Sequence, residues 1–238
     1  MSELAVSTRI REIYSSTYEG ESTWRTLGAI DKVKNILDLC SPIPHGRILE
    51  IGSGEGAILK RLSDLKFGDE LFSIEISESA VATIQSRAIT GVRECRLFDG
   101  YHIPYDDRQF ELAVLSHVVE HTEYPRMLLR EAARVAKYVF VEVPLEDTIR
   151  LKPDFVFDSV GHINFYSWNT IRQLIQTCEL RVLVQVTTNP SRAVYQFCSG
   201  GKGTLNYAIK EILLRASQKL ATRLFTYHCS ILCTRSSG

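Results

Sequence analysis

The stretch "HVVEH" sets His117, Glu120 and His121 at positions i, i+3 and i+4, and "GHINF" supplies a further histidine, His162. On a helix or tight turn that spacing puts the first three on one face. Histidine titrates near neutrality, so it can take a proton from a hydroxyl or ammonium group at ordinary pH. His117 and His121 are therefore expected as proton acceptors, His162 as an acceptor or an orienting group, and Glu120 as a partner for either. The same four residues also have the donor types and spacing of a metal site.

The second stretch is "ILEIGSGEG", residues 48–56, where Gly52, Gly54 and Gly56 fall within five positions behind an apolar run that contains Glu50. A glycine-rich turn between a first strand and a first helix lets backbone approach a ligand lying across the strands' C-terminal edge. Gly52, Gly54 and Ala57 also satisfy the dinucleotide pattern G-x-G-x-x-G/A, with Glu75 lying 75 − 52 = 23 positions on, where a ribose-binding acid belongs. An oxidoreductase using NAD would fit that pattern. Three features favour a different nucleotide. Glu50 suits a ligand with a positive amino group, and Asp99 in "LFDG" can accept from an adenine amino group. The chain also leaves little room for a second, substrate-binding domain.

These residues need elements to hold them, and the pattern supplies an alternation of strand and helix. Strand-like runs fall at 47–51, 71–76, 92–98, 112–116, 138–143 and 180–187, with helical spacing at 57–65, 78–89, 124–135 and 167–178. That is a βα repeat with a mostly parallel, doubly wound sheet. Two lead-in helices are expected at 6–18 and 23–40, as a lid whose Tyr14, Tyr18 and Trp24 close over the ligand. The organisation expected is a cap over 1–45, a core over 46–188, an insertion over 189–226 carrying a helix at 205–225, and a final strand within 227–238.

The 238 residues carry 28 basic and 28 acidic side chains with no basic block, which argues against duplex nucleic acid as partner. No apolar run reaches the roughly 20 residues of a membrane span. Six scattered cysteines without a C-x-x-C pair, and the lack of a secretory apolar core at the start, lead to the expectation of a cytoplasmic protein with reduced thiols.

"ILEIGSGEG", "FSIEIS", "LFDGYHIPYDDRQFELAVLSHVVEH", "PRMLLREAARVAK" and "GHINFYSWNTIRQLIQ" together resemble successive blocks of the class I S-adenosylmethionine-dependent methyltransferases, small-molecule branch, over residues 47–178. The resemblance implies a Rossmann-like seven-stranded sheet whose last strand, "YHCSILCT", is antiparallel. It implies S-adenosylmethionine as cofactor. Glu50, Gly52, Ser53, Gly54 and Gly56 would lie around its methionine part, Glu75 and Ile76 at the ribose, Asp99 and Gly100 at the adenine, and Ser116 and His117 near the sulfonium. Where the family usually has Asp, this chain has Glu111. "HVVEH" with His162 is also similar to the E-x-x-E-H plus His arrangement of small-RNA 3′-terminal 2′-O-methyltransferases and ubiquinone-type catechol O-methyltransferases. His117 replaces their first glutamate, which would favour zinc or ferrous iron over magnesium. The expectation is a metal-free enzyme that methylates an oxygen or nitrogen of a small biosynthetic molecule, with a homodimer as the assembly considered; a noncatalytic cofactor-binding partner subunit is the alternative of another class. Tyr166, Trp168, Tyr195, Phe197 and Tyr207 are the aromatics expected at the acceptor pocket.

Overall fold

A computed structural model describes residues 23–152 and 161–236. The lead-in helix expected at 6–18, with Tyr14 and Tyr18, lies outside the described residues. The strands are β1 (Arg47–Ile51), β2 (Glu70–Glu75), β3 (Val92–Leu97), β4 (Phe110–Ser116), β5 (Ala136–Pro144), β6 (Leu180–Thr188) and β7 (His228–Arg235). The helices are α1 (Thr23–Cys40), α2 (Ala57–Asp64), α3 (Glu78–Ser86), α4 (Pro125–Val135), α5 (Trp168–Gln176), α6 (Arg192–Ser199), α7 (Gly203–Ala216) and α8 (Gln218–Leu224). Their starts carry local signals. Ser77 caps α3 by accepting from the Ala80 amide, α4 opens on a proline, and Ser167 and Thr170 form a reciprocal cap on α5.

The seven strands form one sheet in the order β3-β2-β1-β4-β5-β7-β6. β1 to β5 pair in parallel, whereas β7 runs antiparallel to both β5 and β6. Glu111 accepts from the Arg47 amide at 2.6 Å and so fixes the start of β1, a task its extra methylene does not impair.

Alternation of side chains along each strand sorts the sheet into two faces. Leu49, Ala113, Leu115, Val139, Val141 and Ile231 face one way and pack with Leu128, Leu129 and Ala132 of α4 and Ile171 and Ile175 of α5. Ile48, Leu112, Val114, Phe140 and Leu232 face the other way, against Val33 and Ile36 of α1, Leu59 and Leu62 of α2 and Ile84 of α3. By the same parity Glu50, Ser116, Glu142, His228 and Ser230 belong to the α1 face. In register, Ser116 lies beside Glu142 and Glu142 beside Ser230. A polar row therefore follows directly on the apolar row Val114, Phe140 and Leu232, at the end of β4 and β5 where a ligand is expected.

The segment between β6 and β7 differs from the single helix expected at 205–225. Residues 192–199 are helical too, and the later helix breaks at Ser217, whose extended backbone (φ −161°) ends α7 while its hydroxyl caps α8. The glycines of "CSGGKGT" make a corner between helices, not an open loop. A Cβ on Gly203 would stand 2.2 Å from the Tyr195 carbonyl oxygen, whereas one on Gly201 would meet nothing within 4 Å. Gly203→Ala should therefore lower stability by about 1–3 kcal/mol through overpacking, and Gly201→Ala by less than about 0.5 kcal/mol. Urea unfolding midpoints of the two variants check the difference.

Candidate functional site

The glycine-rich loop after β1 is left-handed at Gly52 (φ 72°), Gly54 (φ 53°) and Gly56 (φ 80°). A Cβ at Gly52 would come within 2.7 Å of Val118 and one at Gly56 within 2.9 Å of Ile84, so turn geometry and close packing both require glycine there. Glu75, at the end of β2, ties the loop down. One of its oxygens accepts from the Gly54 amide at 2.8 Å, and the other accepts from the amides of Ile76 at 2.7 Å and Ser77 at 3.3 Å. Ser53 turns its hydroxyl to Ser73 beneath the loop. Asp99 stands two residues beyond β3 and not at its end. One of its oxygens accepts from the amides of Tyr101 and His102, both at 2.7 Å, which shapes the turn that buries Gly100.

Glu50 is 2 % exposed, and its Oε2 has no hydrogen-bond partner among the described residues. Burial pushes its carboxyl up to about 8 although Lys32 acts in the opposite direction. Neighbouring Glu55 is gripped from two sides, by Arg25 of α1 and by Arg87 following α3, so α1 is latched across the loop. Sequence reasoning had passed over Glu55.

The chain leaves β4 at Ser116 and turns through His117, whose φ of 58° is a strained value for a side-chain-bearing residue. Only Val119–His121 is helical, and as a single 3₁₀ turn. His117, Glu120 and His121 therefore do not share one face. The ring of His117 lies against His228 from β7, with centroids 4.7 Å apart, while His121 lies 4.7 Å from His162. Glu120 stands between the two pairs, its Oε1 3.1 Å from His117 Nδ1. The "GHINF" block pins the turn: the amides of Ile163 and Asn164 both donate to the Glu120 carbonyl, and the Asn164 side chain donates to the carbonyl of Thr122 at 2.8 Å.

Electrostatics follow from this placement. Burial alone would raise Glu120, but contact with His117 and the charge of His121 hold it at about 2. Glu142 has the same balance, with His117, His228 and the Ser230 hydroxyl holding it near 2. Burial and Lys32 act to lower His117, yet its contacts with Glu120 and Glu142 leave it raised. Burial dominates at His121, which is lowered, and at His228, lowered to about 3. His162 Nδ1 lies 2.6 Å from Glu146.

Lys32, Asn35, Glu142, His228 and Ser230 were missed by sequence reasoning. Glu142 sits in "VFVEVP", a carboxylate inside an apolar strand, which is the same signal that singles out Glu50. Asn35 donates to Glu142 Oε2 at 2.8 Å and Ser230 to the same oxygen at 2.7 Å. The expected pocket aromatics scatter. Tyr166 is buried in the core, Tyr195 bonds Asn189 and lies 6.1 Å from Tyr207, and Phe197, 54 % exposed, stacks on Trp24.

A glycine loop at β1, an acid ending β2 and ligand-facing side chains beyond β4 and β5 of a 3-2-1-4-5-7-6 sheet define the fold of the class I methyltransferases. The family model described as "Methyltransferase domain" matches residues 24–185, and the chain belongs to that family. The Bacillus subtilis protein YrhH is 35% identical over 93 residues, which are 38% of this chain and 52% of that one. The chain spans about half the length of the curated relatives it matches, 42% in a Methanocaldococcus jannaschii protein. Among solved structures, Haemonchus contortus phosphoethanolamine N-methyltransferase 2 in complex with S-adenosyl-L-methionine superposes with a TM-score of 0.68 at 13% identity, over 96% of this chain and 60% of that one. The [4+2]-cyclase SpnF superposes with a TM-score of 0.64 at 14% identity, over 93% and 86% of the two chains. At such identities the likeness is one of fold.

Glu50 gives a pH test. Its folded pKa, about 8, stands above the 4.5 of an ordinary glutamate. Its contribution to stability is thus full below about pH 4.5 and is lost as pH rises through about 8. The ligand-free protein should lose stability over that window relative to Glu50→Gln, as measured by denaturant unfolding of both at pH 5 and pH 8.5. Parallel pH profiles would remove Glu50 from this account.

Proposed function

We propose that this chain transfers the methyl group of S-adenosylmethionine to an oxygen or nitrogen of a small molecule. The observation that carries the reading is the buried Glu50 oxygen, unpartnered among the described residues, at the foot of a left-handed glycine loop, which suits a ligand with an ammonium group. Glu50, Gly52, Gly54 and Gly56 would hold the methionine part, Glu75 the ribose hydroxyls, Asp99 with Gly100 the adenine, and Ser116 and His117 the sulfonium side. When bound, the cofactor supplies a methyl carbon activated by the positive sulfur.

The chain's own residues then align the acceptor and take up its proton. As the acceptor takes the methyl group that the cofactor would supply, its proton would pass to an imidazole of the chain. His121, lowered by burial and so neutral near pH 7, is the base in this reading, with His162 oriented by Glu146 beside it. The α1 helix, latched through Arg25 and Glu55, acts as the cap over the site, and no membrane or duplex nucleic acid partner is invoked.

A second reading has its own observation. Ligand atoms of Glu120, His121 and His162 lie within 4.8 Å of one another, which supports a metal-dependent O-methyltransferase acting on a catechol-like or ribose hydroxyl.

Two measurements test the first reading. Glu75→Ala should weaken binding of S-adenosylhomocysteine by about 1.5–3 kcal/mol, roughly ten- to a hundredfold, in calorimetry; unchanged affinity in a folded variant would take Glu75 out of the site. His121→Ala should slow methyl transfer by roughly 10²–10⁴ with cofactor affinity nearly intact. A comparable loss of affinity would instead make His121 part of the cofactor pocket.

A further inference from the structure

One cluster takes no part in the proton transfer of that mechanism, which uses only its His117, beside the sulfonium. His117 Nε2, Glu142 Oε1 and His228 Nδ1 lie within 4.8 Å of one another where β4 and β5 end and β7 begins. His117 Nε2 is 3.4 Å and His228 Nδ1 3.9 Å from Glu142 Oε1. Donor atoms bonded to one small divalent ion at about 2.0–2.2 Å stand roughly 3–3.5 Å apart, so Glu142 Oε1 already stands near ligand spacing from His117 Nε2, and small ring rotations would bring in His228.

Two independent features point to a cation between them. Among the described residues, His117 Nε2 and His228 Nδ1 are buried without a hydrogen-bond partner, although each faces the same carboxylate oxygen. Such orphaned nitrogens are costly unless something occupies their lone pairs. The surroundings also orient each donor. Glu120 lies 3.1 Å from His117 Nδ1 and leaves Nε2 to point at the cluster. Asn35 and Ser230 occupy Glu142 Oε2 and leave Oε1, approached at 3.3 Å by the Ser116 hydroxyl, facing the two rings. Carboxylate-backed imidazoles and a tethered carboxylate are how proteins hold metal ligands. Charge agrees, since Lys32 lies within the field of both Glu142 and Glu120.

We propose that His117, Glu142 and His228 bind a divalent transition-metal ion of the zinc or ferrous type, through two imidazoles and one carboxylate with the remaining positions open. The site is separate from the Glu120, His121 and His162 group. Its use rests on the methyltransferase reading: an ion here would hold an acceptor hydroxyl by its oxygen and lower that hydroxyl's pKa.

The test uses the full chain, purified without a histidine tag and stripped with a chelator. Zinc, and ferrous iron under anaerobic conditions, are titrated into it by calorimetry. One equivalent of at least one ion should bind, and affinity for that ion should fall at least about 100-fold in His228→Gln and about tenfold in Ser230→Ala, which keeps every ligand, while His162→Ala stays within about threefold. Ser230→Ala decides the matter if His228→Gln fails to fold. Absence of stoichiometric binding by both ions, or binding that survives His228→Gln or Ser230→Ala undiminished, or is lost in His162→Ala, overturns the proposal. S-adenosylhomocysteine titrated into the same samples keeps the two readings apart. Its binding without the metal sinks only the metal site, and the metal's binding without it sinks only the methyl-transfer reading.

Discussion

Glu142 has no exposed surface, yet it lies in the middle of the sheet, and the cost of burying an ionised carboxylate is several kcal/mol unless the surroundings answer it. The answer comes from elements far apart in sequence. Asn35 is brought by α1, Ser116 and His117 by the end of β4, and Ser230 and His228 by β7. The docking of α1 on that face and the insertion of β7 beside β5 are thus tied to one charge. Replacing Glu142 with an apolar residue would strand the donors that now converge on it.

Beyond Glu142 the charges alternate. His117 lies between Glu142 and Glu120, and Glu120 lies between His117 and the pair His121 and His162. Groups linked this way respond together, since a change at one alters the field and the hydrogen bonding at the next. The left-handed backbone of His117 is the hinge of the chain of contacts. It turns one ring toward β7 while the following 3₁₀ turn sends His121 toward the "GHINF" segment.

Much of this was legible in the sequence because it depends on local pattern. The parallel strands, the glycine loop, the acid ending β2 and the antiparallel final strand follow from periodicity, turn chemistry and the quoted blocks. The face shared by His117, Glu120 and His121 was misjudged because the spacing rule assumes a continuous helix, and a single residue with positive φ breaks it. Lys32, Asn35 and His228 could not be read at all. Their roles come from register across the sheet and from the helix that lies on it, and the polar row Ser116, Glu142 and Ser230 exists only once β7 is placed beside β5. Within 189–226 the helix at 192–199 and the break at Ser217 were not foreseen, because a close helix crossing at glycine leaves no distinct mark in the sequence.

The separations spanned by these contacts, 107 residues from Asn35 to Glu142 and 88 from Glu142 to Ser230, carry a kinetic consequence. Contacts that close long loops form late, and an internal antiparallel strand can enter only after its neighbours stand in place. During synthesis the glycine loop and the first five strands emerge well before β7. A ribosome-bound chain ending before Thr226 therefore leaves Glu142 without Ser230 and His228, and its strand edge stays open where β7 would later insert. Until β7 inserts, the polar row stays incomplete, and that gap is an interval in which the open edge of β5 is exposed to pairing with the wrong strand.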